Sequence, residues 1–241
     1  MSTVLITGAS SGIGESLAKY YAEQGFCVYA CGRNQEKLTA LSQQHSQITP
    51  LAFDLNDKAA IFGALDKSVK LDHIILNAGT CEYIDNAKQF DGDLFARVIN
   101  TNLISVGYCL EAWLPQLNSG GQLGLMSSSA VYVPLTRAEA YGASKAGVSY
   151  LAKTLSIDLA SNSIGVSCIH PGFVETPLTD KNDFPMPSRI TSVQAAQAIY
   201  LGMKQKRYDI HFPRRFTLVL KTFALLPFFI WRKLAIRMIK E

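Results

Sequence analysis

The chain has 241 residues, of which 48% are hydrophobic, with 23 Lys and Arg against 19 Asp and Glu. This composition excludes a mainly disordered chain and supplies a core for one sizeable α/β domain or two small ones. The net charge of +4 is unevenly spread, because residues 214–241 hold seven basic side chains and one acidic side chain. The basic character therefore belongs to the C-terminal tail, and we expect no nucleic-acid partner.

Five cysteines, at positions 27, 31, 81, 109 and 168, form no CxxC pair and have no neighbouring histidine pair of metal-binding spacing. Cys27 and Cys31 lie in an apolar run, which favours buried reduced thiols and a reducing compartment. Residues 1–7 begin directly on an apolar run and lack the basic segment of a secretory signal. We therefore predict no metal site and a cytoplasmic protein, with the tail as a candidate for contact with the periphery of a membrane.

Short apolar runs alternate along the chain with segments of helical periodicity. The runs begin at residues 3, 26, 48, 73, 121 and 165, and the helical segments are 13–24, 34–44, 57–68, 100–117, 141–160 and 192–204. Alternating strands and helices predict a parallel sheet with right-handed crossovers. The predicted fold is α/β, a Rossmann-like doubly wound sheet in a single domain at 1–213, followed by an amphipathic tail at 214–241.

A glycine-rich turn follows the first predicted strand, in the sequence TVLITGASSGIGESLAKYYAEQG. Gly8 can turn the chain, Gly12 can let the backbone approach a pyrophosphate, and Gly14 can let the helix pack on the strand. A phosphate would then lie at the helix N-terminus. A tight turn that binds no ligand is the alternative.

Two charged residues at strand ends bear on the choice of nucleotide. The second strand ends in Gly32 and Arg33, where a carboxylate would accept the ribose hydroxyls of NAD, so Arg33 favours NADP(H). A solvated arginine opening a helix is the other interpretation. Asp54 ends the third strand, where it either accepts a hydrogen bond from the adenine amino group or caps the next helix.

The stretch YGASK places Tyr141 four residues ahead of Lys145, so both side chains lie on one face of a helix. The pair is either an ordinary surface contact or a proton donor whose pKa is lowered by a nearby cation. The residues alone leave both interpretations open.

Six stretches occur in order between residues 7 and 177: TGASSGIG, LNAG, TNLIS, SSSA, YGASK and HPGFVETP. In order and spacing they resemble the short-chain dehydrogenase/reductase family. The resemblance implies one Rossmann-like sheet that binds a nicotinamide cofactor, in agreement with the strand and helix pattern. Leu76 is a departure, because the family has an asparagine there.

The resemblance also implies four catalytic residues. Tyr141 would exchange a proton with the substrate oxygen, while Lys145 would lower the pKa of Tyr141 and bind the nicotinamide ribose. Ser128, chosen by its spacing from Tyr141, would polarise the substrate oxygen, with Ser127 and Ser129 pointing away. Asn102 would hold a water in a proton relay to Lys145.

The expected cofactor residues lie on five loops and one helix: Gly8, Ser10, Ser11, Gly12, Ile13, Gly14, Arg33, Asp54, Leu55, Asn77, Ala78, Gly79, Tyr141, Lys145, Pro171, Gly172, Val174 and Thr176. The expected activity is NADPH-dependent reduction of a carbonyl to an alcohol, or the reverse, on a small apolar substrate. A nucleotide-sensing or membrane-associated scaffold without turnover is the alternative. We expect a homo-oligomer, either a dimer or a tetramer, and a substrate loop at 177–190.

The tail departs from the family pattern. Residues 216–231 have Lys221 as the only charge and Pro227 as a helix breaker, and they are too short to cross a bilayer. Basic residues flank this stretch on both sides, which suits a helix lying on an anionic membrane surface. A helix pair that covers the substrate pocket or a second subunit is the alternative.

Overall fold

The computed structural model describes residues 1–181 and 184–238, so residues 182–183 of the predicted substrate loop and 239–241 of the tail lie outside the described residues. Within the described part, seven parallel strands form one sheet in the order β3-β2-β1-β4-β5-β6-β7. The strands are β1 (Thr3–Thr7), β2 (Cys27–Gly32), β3 (Ile48–Ala52), β4 (Leu71–Leu76), β5 (Leu117–Met126), β6 (Gly165–Pro171) and β7 (Asp209–Phe212). The predicted Rossmann-like α/β fold is confirmed.

Helices connect these strands and cover both faces of the sheet. They are α1 (Gly12–Glu23), α2 (Gln35–Gln44), α3 (Lys58–Gly63), α4 (Gly92–Ile99), α5 (Ser105–Trp113), α6 (Glu139–Asp158), α7 (Ser192–Lys204), α8 (Arg214–Phe223) and α9 (Phe228–Met238). A π-helical turn at Asn100–Ile104 joins α4 to α5.

Two helix predictions were wrong in extent. The segment predicted at 57–68 ends at Gly63. The segment predicted at 100–117 is the second half of a longer helical region, and the periodicity missed α4 at Gly92–Ile99 because the π turn shifts the apolar face between the two halves.

Strand alternation divides the core into two layers. Val4 and Ile6 of β1 pack in the cluster that includes Leu17 of α1 and Ile199 of α7. Leu5, between them in sequence, packs in the opposite cluster, whose members include Trp113 of α5. Because successive strand residues point to opposite faces, each buried strand serves both layers, as expected of a parallel sheet covered on both sides.

The strand order reverses direction at β1, which pairs with β2 on one side and β4 on the other. Connections on the two sides leave in opposite directions, which opens a crevice beyond the carboxyl ends of these strands. The loops after β1, β4, β5 and β6 all reach this edge, and they carry the motifs singled out in the sequence.

The turn between β1 and α1 depends on close packing. Gly8 has φ of +70°, a backbone conformation that favours glycine. A Cβ atom at Gly14 would lie 2.1 Å from the carbonyl oxygen of Gly8 and 2.6 Å from Nδ2 of Asn77. The same Asn77 amide donates to the carbonyl oxygen of Thr7 at 2.9 Å, so the first turn of α1 is locked against the ends of β1 and β4.

The tail helices are attached to the loops beyond β5 and β6. The ring of Phe216 in α8 lies 5.5 Å, centroid to centroid, from that of Phe173. The indole of Trp231 in α9 donates a hydrogen bond of 3.0 Å to the carbonyl oxygen of Pro134. Of the helices within residues 1–181 and 184–238, none combines the length and the apolar character needed to cross a membrane.

We predict that Gly14→Ala lowers the free energy of unfolding by at least about 2 kcal/mol, because the new methyl group has no room between α1 and the Gly8 carbonyl. Gly107→Ala is the matched control, since it is also helical and a Cβ there meets nothing within 4 Å. The control should be unchanged or up to ~1 kcal/mol more stable. Urea denaturation of both variants measures this, and equal stabilities would contradict the packing argument.

Candidate active site

A cavity of about 800 Å³ lies at the carboxyl edge of the sheet. All the cofactor residues expected from the sequence line it except Gly14, whose place is behind the turn, under the Gly8 carbonyl. Ser128, Tyr141 and Lys145 also line it, so the motifs on separate loops and on α6 converge on one site. Within the described residues, no group of three or more His, Cys, Asp or Glu side chains is arranged to hold a metal ion.

Tyr141 is the third residue of α6 and lines the cavity. Burial raises the pKa of this phenol well above its usual value, the nearby Cys81 thiol adds to the increase, and a hydrogen bond with Ser128 opposes it. The phenol is therefore protonated at neutral pH and can act as a proton donor.

Lys145 lies one turn further along α6 and is almost completely buried. Its amine donates a hydrogen bond of 2.9 Å to the carbonyl oxygen of Met126, at the end of β5, and lies 5.9 Å from the centre of the Tyr141 ring. Burial lowers the pKa of Lys145 to about 8. The pair is thus not an ordinary surface contact, which was one of the two interpretations of YGASK.

In this structure the pKa of Tyr141 is raised, whereas the resemblance implies that Lys145 lowers it. The physical reason is desolvation, which penalises the charged form of both groups and so raises the pKa of the phenol and lowers that of the amine. The amine is directed to the Met126 carbonyl rather than to the phenol oxygen.

Of the three adjacent serines, Ser127 and Ser128 have different partners. Ser128 is extended at φ −161°, and its hydroxyl accepts from the backbone N–H of Ala130 at 3.1 Å besides meeting Tyr141. Ser127 instead donates to the carbonyl oxygen of Lys145 at 3.0 Å and is hydrogen-bonded to Ser149 at 2.6 Å. The structure therefore brings Ser128, of these two, to the phenol.

Asn102 lies in the π turn and is fully buried. Its Oδ1 accepts from the N–H of Thr80 at 2.7 Å, and its Nδ2 donates to the carbonyl oxygen of Thr80 at 2.8 Å and to the Ser144 hydroxyl at 3.0 Å. Ser144 in turn donates to the carbonyl oxygen of Tyr141 at 2.7 Å. Both polar atoms of the amide thus bind protein groups, and Asn102 joins the loop after β4 to the turn of α6 that carries Tyr141.

Arg33 and Asp54 lie at the other end of the cavity. Arg33 is exposed and follows Gly32 at the end of β2. Asp54 does not cap the next helix, which was one of its two interpretations, because Asp57 occupies the N-cap and accepts from the N–H of Ala60. The Asp54 carboxylate instead accepts from the N–H of Asn56 at 2.9 Å, a turn that keeps it at the cavity edge.

The sequence analysis missed one wall of the cavity. Thr101, Ile104, Ser105 and Tyr108 line it from the π turn and α5. Their spacing is that of a single helical face, and this spacing was the signal that could have identified them.

Comparison with known proteins agrees with this geometry. A family model described as short chain dehydrogenase matches residues 2–185. The chain belongs to the short-chain dehydrogenase family. It is therefore an oxidoreductase of that family, as the six motifs implied.

Relatives of this short-chain dehydrogenase include an uncharacterized oxidoreductase of Myxococcus xanthus, 33% identical over 235 residues, with 93% of this chain and 92% of the relative covered. A 3beta-hydroxysteroid dehydrogenase of Mediterraneibacter gnavus is 31% identical over 201 residues, covering 80% and 73%. Among solved structures, a short-chain dehydrogenase from Sphingobium yanoikuyae in complex with NADPH has a TM-score of 0.79 at 26% identity, covering 88% of each chain. A 3-ketoacyl-(acyl-carrier-protein) reductase from Brucella melitensis complexed with NADH has a TM-score of 0.80 at 23% identity, covering 88% of this chain and 98% of its own, and supports the fold alone.

We predict that the stability of this dehydrogenase depends on pH through the buried amine of Lys145. Folded Lys145 loses its proton near pH 8, whereas the unfolded chain keeps it to about pH 10.4, so the unfolded state binds more protons between these values. The stability of the wild type should therefore rise with pH across this window relative to Lys145→Met, by about 2–3 kcal/mol from pH 7 to pH 10.

Urea denaturation of both proteins across the pH range measures this difference. Lys153→Met is the control, because Lys153 lies on the same helix and is exposed. Its difference from the wild type should stay constant. A constant difference for Lys145→Met as well would show that the amine is not desolvated by the fold.

Proposed function

We propose that this protein reduces a small apolar carbonyl compound to an alcohol with NADPH as the reductant. The observation that carries the proposal is the Tyr141 phenol, buried, hydrogen-bonded to Ser128 and facing a cavity that also contains the glycine turn. A proton donor and a nucleotide cradle on one cavity are what carbonyl reduction requires.

The residues present fit a nicotinamide dinucleotide. The turn at Gly8–Gly12 opens the N-terminus of α1 onto the cavity, and no side chain at Gly8 or Gly12 fills the place of a phosphate. The loops holding Asp54 and Asn77 border the cavity where the adenosine end would lie, and Pro171 and Gly172 border it beside Tyr141. The solved short-chain dehydrogenase from Sphingobium yanoikuyae, which is bound to NADPH, supports the same class of cofactor.

Arg33 supports the preference for NADP(H). The end of β2 carries Gly32 and Arg33, with no carboxylate to accept both ribose hydroxyls or repel a 2′-phosphate. The guanidinium is exposed at the cavity rim and can bind a phosphate with two hydrogen bonds.

The proposed chemistry uses groups already in place. Bound NADPH would supply the hydride to the carbonyl carbon. The hydroxyl of Ser128 would hold the carbonyl oxygen, and the phenol of Tyr141 would give that oxygen its proton, leaving a phenolate beside the Lys145 ammonium. Asn102 acts as a positioning residue that fixes the Tyr141 turn through Ser144.

The protonation of Tyr141 favours reduction. A phenol with a raised pKa holds its proton at neutral pH, and reduction consumes a proton at this atom. Oxidation of an alcohol would need the phenolate at the start, which burial disfavours.

An aromatic strip beside Tyr141 supports an apolar substrate. Tyr83 is close enough for its phenol to interact electrostatically with that of Tyr141. From Tyr83 the strip runs through Phe184 at 5.8 Å, Phe173 at 6.1 Å and Phe216 at 5.5 Å between successive ring centres. Such a surface binds apolar groups well, and one of the relatives named above is a hydroxysteroid dehydrogenase.

Two further proposals concern assembly and location. Tyr150 and Ile157 are 72% and 74% exposed and lie two turns apart on one face of α6, which favours a homo-oligomer, a dimer or a tetramer, that covers them.

All five cysteines are free thiols in the structure, which favours the reducing cytoplasm.

We expect Arg33→Ala to weaken NADPH binding by about tenfold or more and to leave NADH binding unchanged, because only NADPH has the 2′-phosphate. Titration followed by nicotinamide fluorescence measures both. Arg207→Ala, also an exposed arginine, is the control. Equal losses for both nucleotides would remove the argument for NADPH, and no binding of either to the wild type would remove the cofactor itself.

A panel of aliphatic and aromatic ketones and aldehydes tests the proposed activity. The decrease in NADPH absorbance measures the rate of reduction. Tyr141→Phe should lower kcat by about 10²–10⁴ because the proton donor is lost, while NADPH binding is retained. In the same assay, Phe184→Ala should raise KM for the bulkier ketones and leave NADPH affinity unchanged. A wild type that binds NADPH but reduces none of the panel would favour the nucleotide-sensing or scaffold alternative.

A further inference from the structure

The helices α8 and α9 expose an unusual amount of apolar side chain. Leu225 is 83% exposed, Phe228 64% and Phe229 63%. We call the tail surface the set formed by Leu218, Val219, Phe223, Leu225, Phe228, Phe229, Ile230, Leu234 and Ile236. Leu218, Val219 and Phe223 are the members on α8, where Val219 and Phe223 share one face because they are four residues apart, and Leu225 follows just beyond the helix.

The opposite side of the tail is already anchored to the body. Thr217 is fully buried and hydrogen-bonded to His211 at 2.7 Å, and Phe216 packs on Phe173. Trp231 is 7% exposed and binds the Pro134 carbonyl. Most of the tail surface is therefore the outward side of helices whose inward side is occupied, while Phe228 and Ile236 border a groove against Pro134.

Basic side chains surround the tail surface. The segment 214–238 contains six of them and no acidic residue: Arg214, Arg215, Lys221, Arg232, Lys233 and Arg237. Lys221 forms an ion pair with Asp209. The other five form no salt bridge with any residue in the ranges that the structure describes.

We infer that the tail surface docks on an anionic lipid membrane. Apolar side chains beside unpaired cations match a bilayer whose headgroups are negative and whose interior is apolar. A second copy of the chain fits less well, because a two-fold contact would bring two such cationic segments together with no carboxylate of the segment between them.

The docked orientation would bring the active-site cavity near the bilayer. The tail is anchored at Phe173, next to the cavity-lining Gly172, and at Pro134, in the loop between Ser128 and Tyr141. An apolar carbonyl compound dissolved in the membrane could then enter without crossing water. Docking itself does not depend on the proposed reaction, so the two can fail separately.

The test is co-sedimentation of the full chain with vesicles of phosphatidylcholine alone or mixed with phosphatidylglycerol. The wild type should bind the mixed vesicles more tightly, and Leu225→Ser with Phe229→Ser should reduce that binding by roughly tenfold or more. The control pair is Val193→Ser with Leu201→Ser, which are 54% and 49% exposed on α7 and should change nothing.

Two charge variants measure the electrostatic contribution to membrane binding. Lys233→Gln and Arg237→Gln should each weaken binding to the anionic vesicles by about fivefold, and high salt should weaken the wild type in the same way. Circular dichroism and urea denaturation of every variant check that the body is folded, independently of any cofactor. Three results would overturn the inference: no preference for anionic vesicles, equal binding of the two serine pairs, or a tail variant that dissociates an oligomer in light scattering while the wild type ignores vesicles.

Discussion

The candidate active site depends on withdrawing two polar groups, the Tyr141 phenol and the Lys145 amine, from bulk water on adjacent turns of one helix. Burial decides the protonation of both groups, and it does so more strongly than their mutual interaction. Such burial costs free energy unless partners are supplied. The partners come from the end of β5, where Met126 accepts from the amine and Ser128 meets the phenol.

The backbone of the same turn is held equally firmly. Ser127 donates to the carbonyl oxygen of Lys145, and Ser144 donates to that of Tyr141 while accepting from Asn102. Because the donors come from β5 and from the π turn, the positions of three elements are fixed relative to one another. A reacting oxygen held between Ser128 and Tyr141 would therefore meet groups that need little rearrangement, which is the main source of electrostatic catalysis in enclosed sites.

Much of this was accessible from the sequence, and the exceptions have physical causes. Six of the seven strands and the cofactor loops follow from local patterns, since a buried parallel strand is a short apolar run and a glycine turn is a local signal, whereas β7 (Asp209–Phe212) has only four residues and was not among the predicted runs. The pKa of Tyr141 was not accessible, because it depends on the depth of burial and on where the Lys145 amine points. The cap of α3 at Asp57 rather than Asp54, and the helix α4, depended on boundaries that periodicity locates poorly.

The geometry of the site depends on the number of residues in the π turn at Asn100–Ile104. A π turn accommodates one residue more than an α-helix does, so deleting a residue there would restore α-helical hydrogen bonding and displace the side chains of the turn itself. The Asn102 amide would then leave Thr80, and Thr101 would leave the cavity wall. The segment should thus tolerate changes of side chain far better than changes of length.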